Sequence, residues 1–198
     1  MRSRVEPDRP IPDETDEALA RSSAAGSEGA FEDLVRRHQR GVYALAQRFT
    51  RNHDDADDVA QDSFLRAWRG IAAYDPSRPF KPWLYRIVVN TALNHLRTIR
   101  NRKEDDLGET DGLPALPDSS GSDPEQEWSG EATARAVHRA MARLRPEERA
   151  ILHLRVREEM GYRDIAVTLG VRIGTVMSRL SRARDALRRE LAREGIEA

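Results

Sequence analysis

Arg172, Thr175, Arg179 and Arg182 recur at spacings of three, four and three residues, which lines them along one side of a helix. Guanidinium groups arrayed this way can bond guanine edges in a DNA major groove and grip phosphates. On the same segment Ile173, Val176, Leu180, Ala183 and Leu187 form an apolar stripe. One side of this helix can therefore pack while the other faces outward. Just upstream, Ile165, Ala166 and Leu169 fit one face of a shorter helix. Gly170 between the two supplies the residue best able to turn the backbone sharply. A charged helix face alone is usually only solvated. Two short helices about a tight turn form a helix-turn-helix, whose leading partner is DNA.

A second polar stripe precedes it. Arg86, Asn90, Asn94 and Arg97 are spaced four, four and three apart. Asn can bond base edges and Arg can bond bases or phosphates. Two Asn one turn apart lower helix propensity, so a hydrogen-bonding role is the economical reason to keep them. Tyr74, Phe80, Trp83 and Tyr85 offer flat rings nearby. Unpaired bases stack on such rings beside a basic groove, although Phe80 and Trp83 would serve equally well as core. Further upstream, Asp54, Asp55, Asp57, Asp58 and Asp62 make an acidic patch. It lacks the spacing and glycine of a calcium loop, and DNA would repel it. A basic protein partner suits it better.

These groups need helices to position them. Phe31, Leu34, Val35, Val42, Leu45, Ala46 and Phe49 predict a first helix from about Gly29 to Thr50. Asn52 to Asp55 supply caps and acids for the start of a second, with Ala60, Phe64, Ala67, Trp68 and Ile71 on its apolar side. A proline-studded loop follows from Ala72 to Pro82. The third helix opens there, with Leu84, Ile87, Val88, Thr91, Ala92, Leu96 and Ile99 inward. The 198 residues carry a net charge of −1 that conceals strong segregation. Residues 31–103 and 132–198 are each net +6, whereas 104–131 are net −10. Two basic blocks about an acidic spacer suggest two contacts with one polyanion. The spacer is rich in Gly, Pro, Ser and acids and cannot bury enough surface to offset its ordering entropy. The expected organisation is an all-α chain with two small helical domains joined by a flexible acidic linker, the second domain a helix-turn-helix. The expected bounds are a disordered extension over 1–28, a first domain over 29–103, the linker over 104–131 and a second domain over 132–198.

There is no cysteine, which excludes disulfides, thiolate metal sites and a thiol switch within the chain. No run approaches the ~18 apolar residues of a membrane span. A cytoplasmic protein with no membrane contact of its own is expected. His38, His53, His95, His138 and His153 show no ligand spacing, and no catalytic constellation is visible. No enzyme activity, metal or cofactor is expected.

Three segments carry a resemblance: DADDVAQDSFLRAWR (55–69), FKPWLYRIVVNTALNHLR (80–97) and the stretch from Leu144 to Leu187 that contains GYRDIAVTLGVRIGTVMSRLSRARDAL. Together and in this order they resemble the extracytoplasmic-function sigma factors of bacterial RNA polymerase. The resemblance implies a sigma region 2 over the first domain and a region 4 over the second, probing the promoter −10 and −35 elements. It implies that Asp58, Gln61, Asp62 and Phe64 dock on the clamp coiled coil of core polymerase, and that region 4 meets the flap. It further implies that the loop Tyr74–Lys81 captures a flipped base, with Phe80, Lys81, Trp83, Arg86, Asn90, Asn94 and Arg97 around it. Arg172, Thr175, Ser178, Arg179 and Arg182 would contact the −35 element. A cognate anti-sigma factor and a stress or envelope regulon are the family's habit. The chain departs from the usual pattern at Arg172, where Pro is frequent, and at Met177, where a basic residue is frequent. If the two elements lie about one and a half helical turns apart, the domains straddle ~50 Å. A 28-residue linker relaxes to only ~30 Å but reaches ~90 Å extended. The free protein is thus expected to be compact or flexible, with polymerase fixing the spacing. The rival reading is a homodimeric helix-turn-helix regulator acting without polymerase. It leaves the acidic patch, aromatic loop and Asn stripe without a role.

Overall fold

A computed structural model describes residues 13–50, 52–106 and 130–196, with side chains placed except at 100–106 and 130–132. Among the described residues every regular element is helical. The helices are α1 (Asp16–Ala24), α2 (Glu28–Ala46), α3 (His53–Gly70), α4 (Phe80–Asp106), α5 (Gly130–Ala142), α6 (Pro146–Val156), α7 (Tyr162–Leu169) and α8 (Ile173–Arg193). A single 3-10 turn, Ile71–Ala73, follows α3. The acidic linker expected over 104–131 lies outside the described residues except at its ends. There 104–106 continue α4, and Gly130 and Glu131 open α5.

The expectation of a disordered extension over 1–28 is corrected in its second half. Residues 1–12 lie outside the described residues, but Asp16–Ala24 form α1, with Leu19 and Ala20 buried. Local signals were present: Thr15 caps Ala18 N at 3.2 Å, and Asp16 and Glu17 occupy the first turn, where negative charge favours the exposed N–H groups. Tertiary contacts complete the case. Asp16 meets Arg37 Nη1 at 2.5 Å and His38 Nε2 at 2.8 Å. Burial opposes ionisation of Asp16, but these two partners outweigh it and hold its carboxyl below the ordinary range. Glu17 Oε1 accepts from the Phe80 backbone N at 3.1 Å. A helix that the composition hides thus caps the helix that carries the Asn stripe.

The remaining first-domain helices form largely where expected. Asn52 Oδ1 accepts from Asp55 N at 2.7 Å and starts α3. Helix α2 stops at Ala46 rather than Thr50. Arg48 N and Phe49 N instead bond carbonyls three residues back, which tightens the last turn and delivers Phe49 into the core. In the second domain, Pro146 opens α6, and Glu148 reaches back to accept from Arg145 N at 3.1 Å. Gly170 sits at φ +64°, the left-handed position that ends α7 and that only glycine adopts freely. Arg139 and Arg143 of α5 meet Glu194 at 2.7 Å and 2.6 Å and so tie α5 to the end of α8.

The two domains are packed together. The most extensive helix contact among the described residues is between α4 and α7, one from each domain. Buried apolar side chains from Leu19 through Ala186 form one continuous cluster. Thr168 Oγ1 donates to the Pro82 carbonyl at 3.3 Å, and Arg149 Nε donates to the Arg48 carbonyl at 3.0 Å. No described helix is long and apolar enough to cross a membrane.

Candidate nucleic-acid interface

Helix α8 enters the site from its packing side. Val176, Leu180, Ala183 and Ala186 are buried, anchoring the helix against α6 and α7. Arg172, Ser178, Arg179 and Arg182 are exposed and Thr175 is half-buried. Arg172 is the N-cap residue: its backbone is extended and its carbonyl accepts from Thr175 N at 2.9 Å. Arg182 Nε lies 3.3 Å from the Ser178 carbonyl, which sets its guanidinium along the helix. The side chains named from sequence thus share one outward surface. Ile173, expected on the packing stripe, is instead 43% exposed because it sits in the first turn of α8, and Met177, 55% exposed, lies one turn on along the flank opposite Arg179. Exposed apolar groups on a groove-seated helix can contact thymine methyls.

Helix α4 has three sides. Phe80, Leu84, Val88, Thr91 and Ala92 are buried toward the first domain. Pro82, Tyr85 and Val89 are also buried, on the side where α7 packs. Arg86, Asn90, Asn94 and Arg97 remain exposed on the third, and Arg97 Nη1 donates to Asn94 Oδ1 at 3.2 Å. The stripe is therefore real, and narrow. Trp83 is half-buried at its upstream end, and Lys81 is half-buried with its ammonium on Glu158.

The aromatic loop does not present its rings. Phe80 is 1% exposed and Tyr74 is 7% exposed. Tyr74, Phe80 and Trp83 pack against one another, edge-on or tilted, at centroid distances of 5.1–5.5 Å. The Tyr74 hydroxyl donates to the Arg78 carbonyl. Burial, then the nearby carboxylates of Glu17, Asp16 and Asp75, push its pKa up to about 12. The two rings brace the loop from inside and are not free to stack on a base. The exposed rim is Asp75–Pro79. It is ordered by Asp75 Oδ1, which accepts from Ser77 N at 3.0 Å and Ser77 Oγ at 2.7 Å. These bonds hold the Asp75 carboxyl below its ordinary range. Arg78, which sequence reasoning did not single out, has a side chain 75% exposed on this rim.

A separate groove of about 630 Å³ lies between α2 and α3, lined by Gln39, Arg40, Tyr43, Asp57, Ala60, Gln61 and Phe64. Gln61 and Phe64 were named from sequence. Asp58 lies outside the lining and is exposed, whereas Asp62 is half-buried and meets Arg66 Nε at 2.8 Å. The contribution of α2 was missed because groove partners come from distant sequence. Leu65 and Trp68 add exposed apolar surface to α3.

Both domains have known relatives. Residues 34–102 match the family Sigma-70 region 2, and residues 134–187 match Sigma-70, region 4. The chain is 35% identical to the RNA polymerase sigma-H factor of Pseudomonas aeruginosa, over 90% of this chain and 94% of that one. It is 36% identical to the ECF RNA polymerase sigma factor SigE of Mycolicibacterium smegmatis, over 88% of this chain and 67% of that one. Among solved structures it resembles CnrH in complex with the cytosolic domain of CnrY. The TM-score is 0.63 at 27% identity, over 90% of this chain and 98% of CnrH. It also resembles the sigma factor RpoE bound to the anti-sigma factor NepR from Bartonella quintana. There the TM-score is 0.62 at 25% identity, over 82% and 96% of the two chains. With both sigma regions matched in order and relatives aligned along most of their length, the chain belongs to the extracytoplasmic-function sigma factors of bacterial RNA polymerase.

Proposed function

We propose a division of labour for this alternative sigma factor, a non-enzymatic subunit that directs promoter recognition and opening. The α2–α3 groove and the acidic α3 surface, with Asp58, Gln61, Asp62 and Phe64, dock on the clamp coiled coil of core polymerase. The α4 stripe of Asn90, Asn94 and Arg97, with Lys81, Trp83, Arg86 and the loop rim, holds the melted −10 strand. Binding energy there offsets the few kcal/mol of unstacking per extruded base. Tyr74 and Phe80 support that loop from within. Helix α8 anchors the −35 duplex through Arg172, Thr175, Ser178, Arg179 and Arg182. The observation that carries this reading is the solvent-facing arginine surface of α8, borne on a helix anchored by the buried Val176, Leu180, Ala183 and Ala186.

Both solved relatives are held by partner proteins, and the sigma factor RpoE is held by one named an anti-sigma factor. We infer that this chain too has an anti-sigma partner, and that it works in the cytoplasm where core polymerase is found. Run-off transcription with purified core polymerase and a promoter library tests the assignment. Specific transcripts that vanish with Asp58→Arg or Gln61→Ala support it. Transcripts unaffected by either change would sink the docking surface named here.

A further inference from the structure

We propose that Glu17 and Asp16 of α1 are positioning residues for strand capture: they hold the loop between Tyr74 and Phe80 where it can receive an extruded base. The inference rests on that loop and the α4 stripe being the −10 surface. Its foundation is the way α4 begins. A helix start leaves four backbone N–H groups without partners. Here Pro79 and Pro82 have no N–H to offer, so Phe80 and Lys81 remain. Pro79 also has no side-chain acceptor, which removes the usual local cap. The acceptor comes instead from Glu17, 63 residues upstream, whose Oε1 takes the Phe80 N–H at 3.1 Å.

A local cap would order only the first turn of α4. Glu17 also fixes where that turn stands on the rest of the domain, because α1 is itself pinned. Asp16 meets Arg37 at 2.5 Å and His38 at 2.8 Å on α2, and the His38 ring lies 5.6 Å from the Phe80 ring between centroids. The N-termini of α1 and α4 thus converge on two carboxylates, which offset the positive ends of both helices. At the other stem of the loop, α1 packs on the 3-10 turn Ile71–Ala73, from which Tyr74 departs. Burial first, and then the carboxylates of Glu17 and Asp16, oppose ionisation of the Tyr74 hydroxyl, which places both acids near it. That hydroxyl in turn holds the Arg78 carbonyl. Helix α1 therefore serves both stems, while the rim Asp75–Pro79 between them stays exposed. A rim held at both stems loses little further freedom when a base enters. A loose one must be ordered at that moment, which subtracts from the binding energy that offsets unstacking.

The test uses holoenzyme assembled from the full chain and core polymerase, on a promoter from the run-off library. 2-Aminopurine is placed in turn along the −10 element, and its fluorescence rise reports each base leaving the stack. Glu17→Ala is expected to slow the rise at the captured base by roughly fivefold, the scale of losing one helix cap. Asp16→Asn should do the same by unpinning α1. Glu17→Gln keeps an acceptor oxygen and should recover most of the rate. Binding of a −35 duplex and affinity for core polymerase should not change. Ser27→Ala controls for lost stability. It removes the cap of α2, where Ser27 Oγ accepts from Ala30 N at 3.3 Å, at a similar cost but at the far end of the α1–α2 pair from Asp16. It should open the promoter at the wild-type rate. Slowed capture confined to one −10 position, with recovery in Glu17→Gln, supports the proposal. A matching slowdown in Ser27→Ala, or an equal fall in −35 binding, would reduce α1 to general stability and overturn it. Unchanged capture in Glu17→Ala while Asn90→Ala still slows opening overturns the positioning role and leaves the −10 surface standing. Unchanged capture in both overturns the −10 reading and this inference with it.

Discussion

The two helices proposed to read DNA solve different problems. Helix α8 is packed along one side and free on the rest, so arginines on its outer side reach solvent together. Helix α4 is packed along two sides, toward α1–α3 and toward α7, and only the stripe Arg86–Asn90–Asn94–Arg97 remains. A helix packed on one side shows its function in its periodicity. A helix packed on two sides shows two apolar stripes, and the sequence does not say which of them meets a ligand. This is why the rings of α4 and its loop read as base-stacking surfaces while the structure makes Phe80, Tyr74 and Tyr85 core.

The sharpest break of this comparison is Phe80→Ala. As core, Phe80 should cost about 3–5 kcal/mol on truncation, seen as a large loss in thermal or denaturant unfolding. Unchanged stability with failed promoter opening would return it to the DNA surface. Next is Arg179→Ala, which should cost about 1–3 kcal/mol of −35 duplex binding in titrations of the holoenzyme, with stability unchanged. Asn90→Ala should do the reverse, slowing strand opening by the equivalent of about 1 kcal/mol while sparing upstream binding. Equal losses of both steps in both variants would abolish the division between the helices.

A smaller effect concerns Met177. Replacing thymine by deoxyuridine across the −35 element removes methyl groups worth up to ~0.8 kcal/mol each. The loss should be felt by the wild type and be absent in Met177→Ala at the contacted position. Last is pH. His153, 3.3 Å away, leads the causes that hold Glu158 down to about 2, with Lys81 and Tyr85 adding to it against the cost of burial. The carboxyl is therefore depressed where the domains pack together, and its stabilisation is complete above the ordinary value of 4.5. It is lost as pH falls from there toward about 2. Energy transfer between dyes on the two domains should be flat from pH 8 to 5 and decline below. A decline already complete at pH 6 would exclude Glu158 as the group responsible.

Much of the fold was legible because it is local. The cap at Asn52, the glycine turn at Gly170 and the periodicity of α8 are each settled within a few residues. Helix α1 was hidden because its stretch is polar, and its burial depends on Arg37, His38 and Phe80, more than twenty residues away. The set proposed to face polymerase was half legible: α3 carried its signal in the acidic run, whereas Gln39, Arg40 and Tyr43 reach the groove only through the packing of α2 on α3.

By itself the sequence determined two helical blocks of positive charge about an acidic segment, a helix-turn-helix and an outward arginine surface. Side-chain spacing along a helix and charge along a chain are one-dimensional properties. Tertiary structure alone decided that Tyr85 turns inward to a carboxylate 73 positions away, that Lys81 shares it, and that α7 lies on α4. Those outcomes depend on which of two apolar stripes a distant helix covers, and that choice is made only when the domains meet.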